Sequence, residues 1–194
     1  MLDRLENLLG SFLVWRVKYI PHRTFIIFLS VVVGLISGLG AVTLKNSTHI
    51  VQEFVSSGTF SDYYNPYYFV FPVIGIAISV VIVKILRHPV GEGIPSTLYA
   101  ISKRNGILRP YKMYASLITS MFTVGFGGSV GLEGPTVSTG SAIGSNLGRI
   151  MHLNYKSRIL LISCATAGAM ASIFNAPIAA IIFTIEIFSL DLTL

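Results

Sequence analysis

The chain has 194 residues, of which 53% are hydrophobic and only 11% are charged. This composition excludes an ordinary soluble domain and is typical of a protein that crosses a membrane several times. The net charge of +6 can reflect either bases that set the orientation in the membrane or bases that bind a nucleic acid. We favour the first interpretation, because no basic motif with stacking aromatic residues is present. We therefore expect a lipid bilayer around the protein and no nucleic-acid partner.

The first 20 residues contain apolar side chains at helical spacing, with polar side chains between them. The apolar positions are Leu2, Leu5, Leu8, Leu9, Phe12 and Leu13. This pattern predicts an amphipathic helix over residues 1–20 that lies in the cytoplasmic face of the membrane. A helix that packs against another part of the chain fits the pattern equally well.

Two long apolar segments follow, at residues 25–44 and 67–83, and each is about long enough to cross a bilayer. Small residues on the first segment suit close helix packing: Gly34, Ser37, Gly38 and Gly40. We expect a polar loop from residue 45 to residue 66, in which Lys45 is the only base. More bases precede the first span and follow the second, which predicts a multi-pass protein with a cytoplasmic N-terminus.

Beyond Arg87 the apolar segments become short. They lie at residues 94–101, 113–124, 136–150, 159–173 and 178–188. As a helix, residues 136–150 would reach about 22 Å, less than the ~30 Å hydrocarbon core. Pro177 is expected to begin the last helix. Short, broken helices are tolerated in a bilayer where they pack in protein or line a polar cavity, and their N-termini bind anions in transporters. This region therefore predicts a transport protein.

Two segments combine glycines with a proline at a predicted helix start. They are Gly91-Glu92-Gly93-Ile94-Pro95 and Gly131-Leu132-Glu133-Gly134-Pro135. Glycine exposes backbone N–H groups, and a helix N-terminus carries partial positive charge. If the two starts converge, they predict an anion site built from the backbone. The alternative interpretation is a pair of ordinary turns.

Glu133 is the most informative of the 8 acidic residues, because it lies between the apolar, glycine-rich stretches 113–130 and 136–150. A carboxylate at bilayer depth costs several kcal/mol, so it is usually retained for function. An acid at a helix start that also binds an anion predicts a gate.

Sequence signatures of an enzyme are missing. The glycine run at residues 125–131 lacks the preceding strand and the spacing of a dinucleotide loop, and no P-loop lysine follows it. The four histidines are scattered, and no Ser/His/acid set or metal-ligand cluster is apparent. We expect no enzyme activity, no cofactor and no metal.

These motifs resemble the CLC family of chloride channels and chloride–proton exchangers. The resemblance rests on the Gly91–Pro95 run, on GLEGPTVSTGSAIGSNLG at residues 131–148, and on ATAGAMASIFNAPIAAIIFTIE at residues 165–186. It implies an all-α polytopic membrane fold of broken and short tilted helices. Residues 21–194 would form the N-terminal half of an inverted-repeat anion-transport domain. The resemblance also implies that chloride is the transported ion, that the protein is a homodimer, and that a second half of the domain completes each pathway.

The resemblance also assigns roles to single residues. Glu133 matches the gating glutamate, which occupies the outer anion site when it is ionised. Glu92 replaces a serine that usually binds the central anion, so it is either part of an altered or proton-coupled site or an acid that faces cytoplasmic water. Glu186 matches the first of two acids found in many exchangers, and Ile187 replaces the second. A proton path would use Glu133, Glu92 and Glu186, and the alternative for Glu186 is a structural acid near the end of its helix.

Three functions remain open at this point. Ile187 slightly favours channel-like chloride conduction with Glu133 as the gate. The second is a proton-coupled chloride antiporter that uses Glu133 and another acid, such as Glu92. The third is a non-conducting half-transporter or regulatory subunit, because the second half of the family's domain does not follow Leu194. The same observation fits a fragment of a longer chain.

Overall fold

The computed structural model describes residues 18–57, 70–87 and 93–188. The helices within these ranges are α1 (His22–Ser57), α2 (Val70–Leu86), α3 (Gly93–Lys103), α4 (Lys112–Gly125), α5 (Glu133–Ile150), α6 (Tyr155–Phe174) and α7 (Pro177–Phe188). These ranges contain no strand, which confirms the all-α membrane fold. The amphipathic helix predicted over residues 1–20 lies almost entirely outside the described residues, and so do Gly91 and Glu92.

The first membrane helix is longer than predicted. α1 has 36 residues, so the expectation of a polar loop from residue 45 is wrong over residues 45–57, and Lys45 lies inside the helix. The reason is that the inward positions keep helical spacing beyond the apolar run. Leu44 and Thr48 are buried, and Val51 contacts Gly125 at the end of α4. Polar side chains on the outer positions conceal this pattern in the sequence.

Helix lengths divide the chain into long and short elements. α1 (over residues His22–Val55) and α6 are long and apolar enough to cross a membrane, whereas α2 and α7 are shorter apolar helices. α3 has 11 residues and rises only about 16 Å. The helices predicted after Arg87 are confirmed, and each begins within four residues of its predicted start, but α6 has 20 residues and is longer than the predicted segment 159–173.

The core lies around α5 and α6. α6 packs against α1, α5 and α7, and α5 also contacts α1, α3 and α4. Every residue from 136 to 146 of α5 is buried. Many of these residues are small or carry a hydroxyl, so neighbouring helices approach α5 closely on several sides.

Glycines allow the two long helices to touch through their backbones. A Cβ atom placed on Gly168 of α6 would lie 2.5 Å from the carbonyl oxygen of Gly34 in α1. One turn away, the Ser37 hydroxyl donates a hydrogen bond of 2.6 Å to the Ala165 carbonyl. The small residues of α1 therefore pack against α6, as their spacing predicted.

Candidate functional site at the starts of α3 and α5

Both glycine–proline segments begin helices, as predicted. α3 begins at Gly93 and α5 at Glu133, and Pro95 and Pro135 lie in the first turns. No side chain caps the start of α5. Because the first amides of a helix have no partner inside it, each start presents N–H donors and partial positive charge.

The two helix starts meet at a pair of glycines. A Cβ atom placed on Gly93 would lie 2.9 Å from Cα of Gly134 and 3.1 Å from its carbonyl oxygen. This separation is below normal van der Waals contact, so only a residue without a side chain fits at position 93. The structure thus brings the predicted starts together. Behind Gly93, Ile94 packs against an apolar cluster that includes Val137 of α5.

Glu133 lies beside this contact, as the exposed first residue of α5. Its carboxylate folds back towards Gly131, because a Cβ atom on Gly131 would lie 2.9 Å from Oε2 of Glu133. The side chain also borders a cleft of about 230 Å³. The other described residues that line this cleft are apolar: Met170, Phe174, Ala176, Ala179, Ala180 and Phe183. A carboxylate thus stands between a polar helix start and an apolar cleft.

Leu132 fixes the start of α5 by apolar contact. It packs against a cluster formed by Ala41 and Leu44 of α1 and by Ala169 and Ile173 of α6. The residue before the acid is therefore partly buried against α1 and α6. A long basic side chain at this position would have to displace part of that cluster.

Glu186, the other predicted acid within the described residues, is not brought to this site. Glu186 is exposed near the end of α7, about 14 Å along the helix from Pro177, and it does not line the cleft. Ile187 is partly buried and packs against the cluster that contains Val137 and Phe188. Since Glu92 lies outside the described residues, a proton path through the three acids stays a prediction.

The turn between α6 and α7 forms one wall of the cleft. Asn175 ends α6 in a left-handed conformation (φ 53°), and Pro177 begins α7, as predicted. Met170, Phe174 and Phe183, which line the cleft, were not predicted from the sequence. The spacing of four between Met170 and Phe174 places them on one face of α6, which is the signal that could have identified them.

Comparison with known proteins agrees with these features. The model of a protein family described as "Voltage gated chloride channel" matches residues 74–194. The H(+)/Cl(-) exchange transporter ClcA of Vibrio cholerae is 28% identical over 172 residues, which cover 83% of this chain and 36% of the transporter. The chloride channel protein CLC-e of Arabidopsis thaliana is 24% identical over 179 residues, or 86% of this chain and 24% of the plant protein. The putative chloride channel protein ClcB-like of Ralstonia nicotianae is 33% identical over 100 residues, or 50% of this chain and 23% of that protein. The chain thus spans about a third or less of these relatives.

Proposed function

Because this chain belongs to the voltage-gated chloride channel (CLC) family, we propose that it forms the first half of a chloride pathway in which α3 and α5 hold the anion and Glu133 is the gate. The meeting of Gly93 with Gly134 supports this proposal most strongly. Each helix start contributes roughly half a positive charge. The partial charges of the two starts therefore add up to about the charge of one monovalent anion. No cationic side chain is needed, and a fixed cation would hold the anion too tightly for transport.

The position of Glu133 supports the gating role. Its carboxylate is itself an anion at the start of α5, so it competes with chloride for the same backbone donors. Protonation makes the side chain neutral and ends this competition. The cleft beside Met170 and Phe183 offers a place for the displaced side chain, because burying a neutral carboxyl costs less than burying an ionised one.

The mode of transport is the second part of the proposal. Ile187, in place of a second acid, favours channel-like conduction. The alternative is proton-coupled antiport, because the Vibrio cholerae relative is an H(+)/Cl(-) exchange transporter. Chloride uptake into liposomes that contain the full-length protein separates the two. A channel moves chloride down its own gradient only, whereas uptake driven by a proton gradient alone would establish the antiporter.

The gate is tested by Glu133→Gln, with Glu53→Gln as the matched control. Both variants remove one carboxylate, but Glu53 lies on α1 and does not line the cleft. We expect Glu133→Gln to remove the pH dependence of chloride flux and Glu53→Gln to preserve it. An unchanged pH dependence in Glu133→Gln would overturn the gating role.

We further propose that the second half of the domain completes the anion site and that the assembled protein is a homodimer. α7 supports a protein neighbour, because Ile178, Ile181 and Ile182 are exposed on it next to the cleft. A non-conducting half-transporter or regulatory subunit is the remaining alternative. Chloride flux through purified full-length protein excludes that alternative, and its absence would establish it.

A further inference from the structure

A second pocket lies along α3, from Ser96 in its first turn to Arg104 after its last residue, and within the described residues it shares no lining residue with the cleft at Glu133. It has a volume of about 190 Å³ and is formed by α3, by the loop that follows it and by the start of α4. Its polar lining consists of Ser96, Tyr99, Arg104, Arg109, Tyr111 and Lys112. No carboxylate is among the described residues that line it. Along α3 the lining therefore extends from about 5 Å to about 16 Å from Gly93.

The loop that forms one wall of the pocket is held in place by three hydrogen bonds, two of them buried and one exposed. The Ser145 hydroxyl accepts a bond of 2.8 Å from the Leu108 amide and donates one of 2.6 Å to the Gly106 carbonyl. The guanidinium of Arg158 donates a bond of 3.0 Å to the Asn105 carbonyl. These contacts come from α5 and α6, so the core of the protein fixes the loop. A pocket built in this way loses little conformational entropy when a ligand binds.

Three cationic side chains reach this pocket from three different segments. Arg104 follows α3 and lies 5.5 Å above the ring of Tyr99, Arg109 belongs to the loop, and Lys112 is the first residue of α4. The α4 start adds partial positive charge. Membrane topology alone explains bases near the membrane surface, as with Lys103, which does not line the pocket. It does not explain why three bases share one pocket with tyrosine hydroxyls.

We propose that this pocket binds a phosphate group, carried by either an anionic phospholipid or a soluble phosphate. Arginine donates paired hydrogen bonds that match phosphate oxygens, and lysine adds a point charge. The pocket is too large for a single chloride ion and is lined by donors rather than by apolar side chains alone. Basic pockets between membrane helices are known to bind anionic head groups.

The experiment measures binding to the purified full-length protein in uncharged detergent. Native mass spectrometry follows dioctanoyl phosphatidylglycerol, with dioctanoyl phosphatidylcholine as the zwitterionic reference, and calorimetry follows inorganic phosphate. The test variant is Arg104→Gln/Arg109→Gln. The matched control is Lys103→Gln/Arg149→Gln, which removes the same charge from exposed bases that do not line the pocket. We expect the test pair to weaken anion binding about tenfold or more, and the control pair by less than about twofold.

Each outcome decides the proposal. Loss of phosphatidylglycerol binding identifies a lipid head group, and loss of inorganic phosphate binding alone identifies a soluble phosphate; both support a phosphate site. Equal weakening by the two pairs, or no binding of either anion, overturns it. If the glutamine pair does not fold, the same binding measurements are made on Arg104→Lys/Arg109→Lys. This pair keeps the charge and loses the paired donors, so affinity should still fall several-fold relative to the control pair.

Discussion

The contact between Gly93 and Gly134 is the part of the proposed anion site that a single methyl group can break. In Gly93→Ala the new Cβ atom would lie 2.9 Å from Cα of Gly134, whereas carbon atoms prefer about 3.5–4.0 Å. The start of α3 must therefore move by about 0.6–1.1 Å, because the obstacle is backbone and cannot rotate away. Overpacking of this kind typically costs about 1–3 kcal/mol.

Gly134→Ala is the matched control for this change. A Cβ atom on Gly134 would lie 4.0 Å from Cα of Gly93, which is ordinary contact. Both variants add one methyl group at the same helix contact, and only one of them has to separate the helices. If about 1 kcal/mol of the overpacking cost in Gly93→Ala reduces the free energy of anion binding, the chloride affinity falls about fivefold.

The assay measures chloride flux from liposomes and chloride binding by calorimetry, with thermal unfolding in detergent as a measure of folding. We expect Gly93→Ala to reduce chloride affinity at least several-fold and Gly134→Ala to keep it within about twofold of the parent. Equal effects of the two variants on affinity would show that the separation of the helix starts does not matter to the anion.

Two further predictions concern the scaffold that positions these sites. Gly168→Ala should lower the unfolding temperature clearly more than Gly34→Ala. The reason is that the new Cβ atom lies 2.5 Å from a backbone oxygen in the first variant and 3.7 Å from one in the second. Equal unfolding temperatures of the two variants would contradict the close packing of α1 and α6. Ser145→Ala should lower the free energy of unfolding by about 1–3 kcal/mol and speed hydrogen exchange of the Leu108 amide, because the buried Leu108 amide and Gly106 carbonyl lose their partner. Ser163→Ala is the control, since it removes only a hydrogen bond within α6. Unchanged exchange at Leu108 would show that Ser145 does not hold the loop.

Helix positions were largely predictable from the sequence because glycine and proline mark the boundaries directly. Pro95, Pro135 and Pro177 all lie in first turns, where proline is tolerated, so the starts of α3, α5 and α7 were located to within a few residues. The end of α1 was not predicted, because Thr48 is buried in spite of its hydroxyl. This hydroxyl donates a hydrogen bond to the Leu44 carbonyl inside the helix. A threonine that satisfies its own hydroxyl in this way does not interrupt an apolar face.

The arrangement between helices was only partly predictable. Convergence of the two glycine–proline segments was one of two open interpretations, and the short distance between Gly93 and Gly134 depends on tertiary packing. The phosphate pocket was not predicted at all. Arg104, Arg109 and Lys112 were interpreted only as topology signals, because the sequence does not show that Ser145 and Arg158 fold the connecting loop back into a wall.

Helix lengths place the proposed anion site near the middle of the bilayer. α3 ends at Lys103, Arg149 lies in the last turn of α5, and such basic residues are typical of the membrane surface. From that surface α3 rises about 16 Å to Gly93, which is about half of the ~30 Å hydrocarbon core. α5 has 18 residues and is about 27 Å long, so it reaches the same point only if it is tilted more strongly than α3. A short helix and a long tilted helix that meet near mid-membrane would line about half of the path, so the proposed chloride pathway requires other segments to line the remaining half.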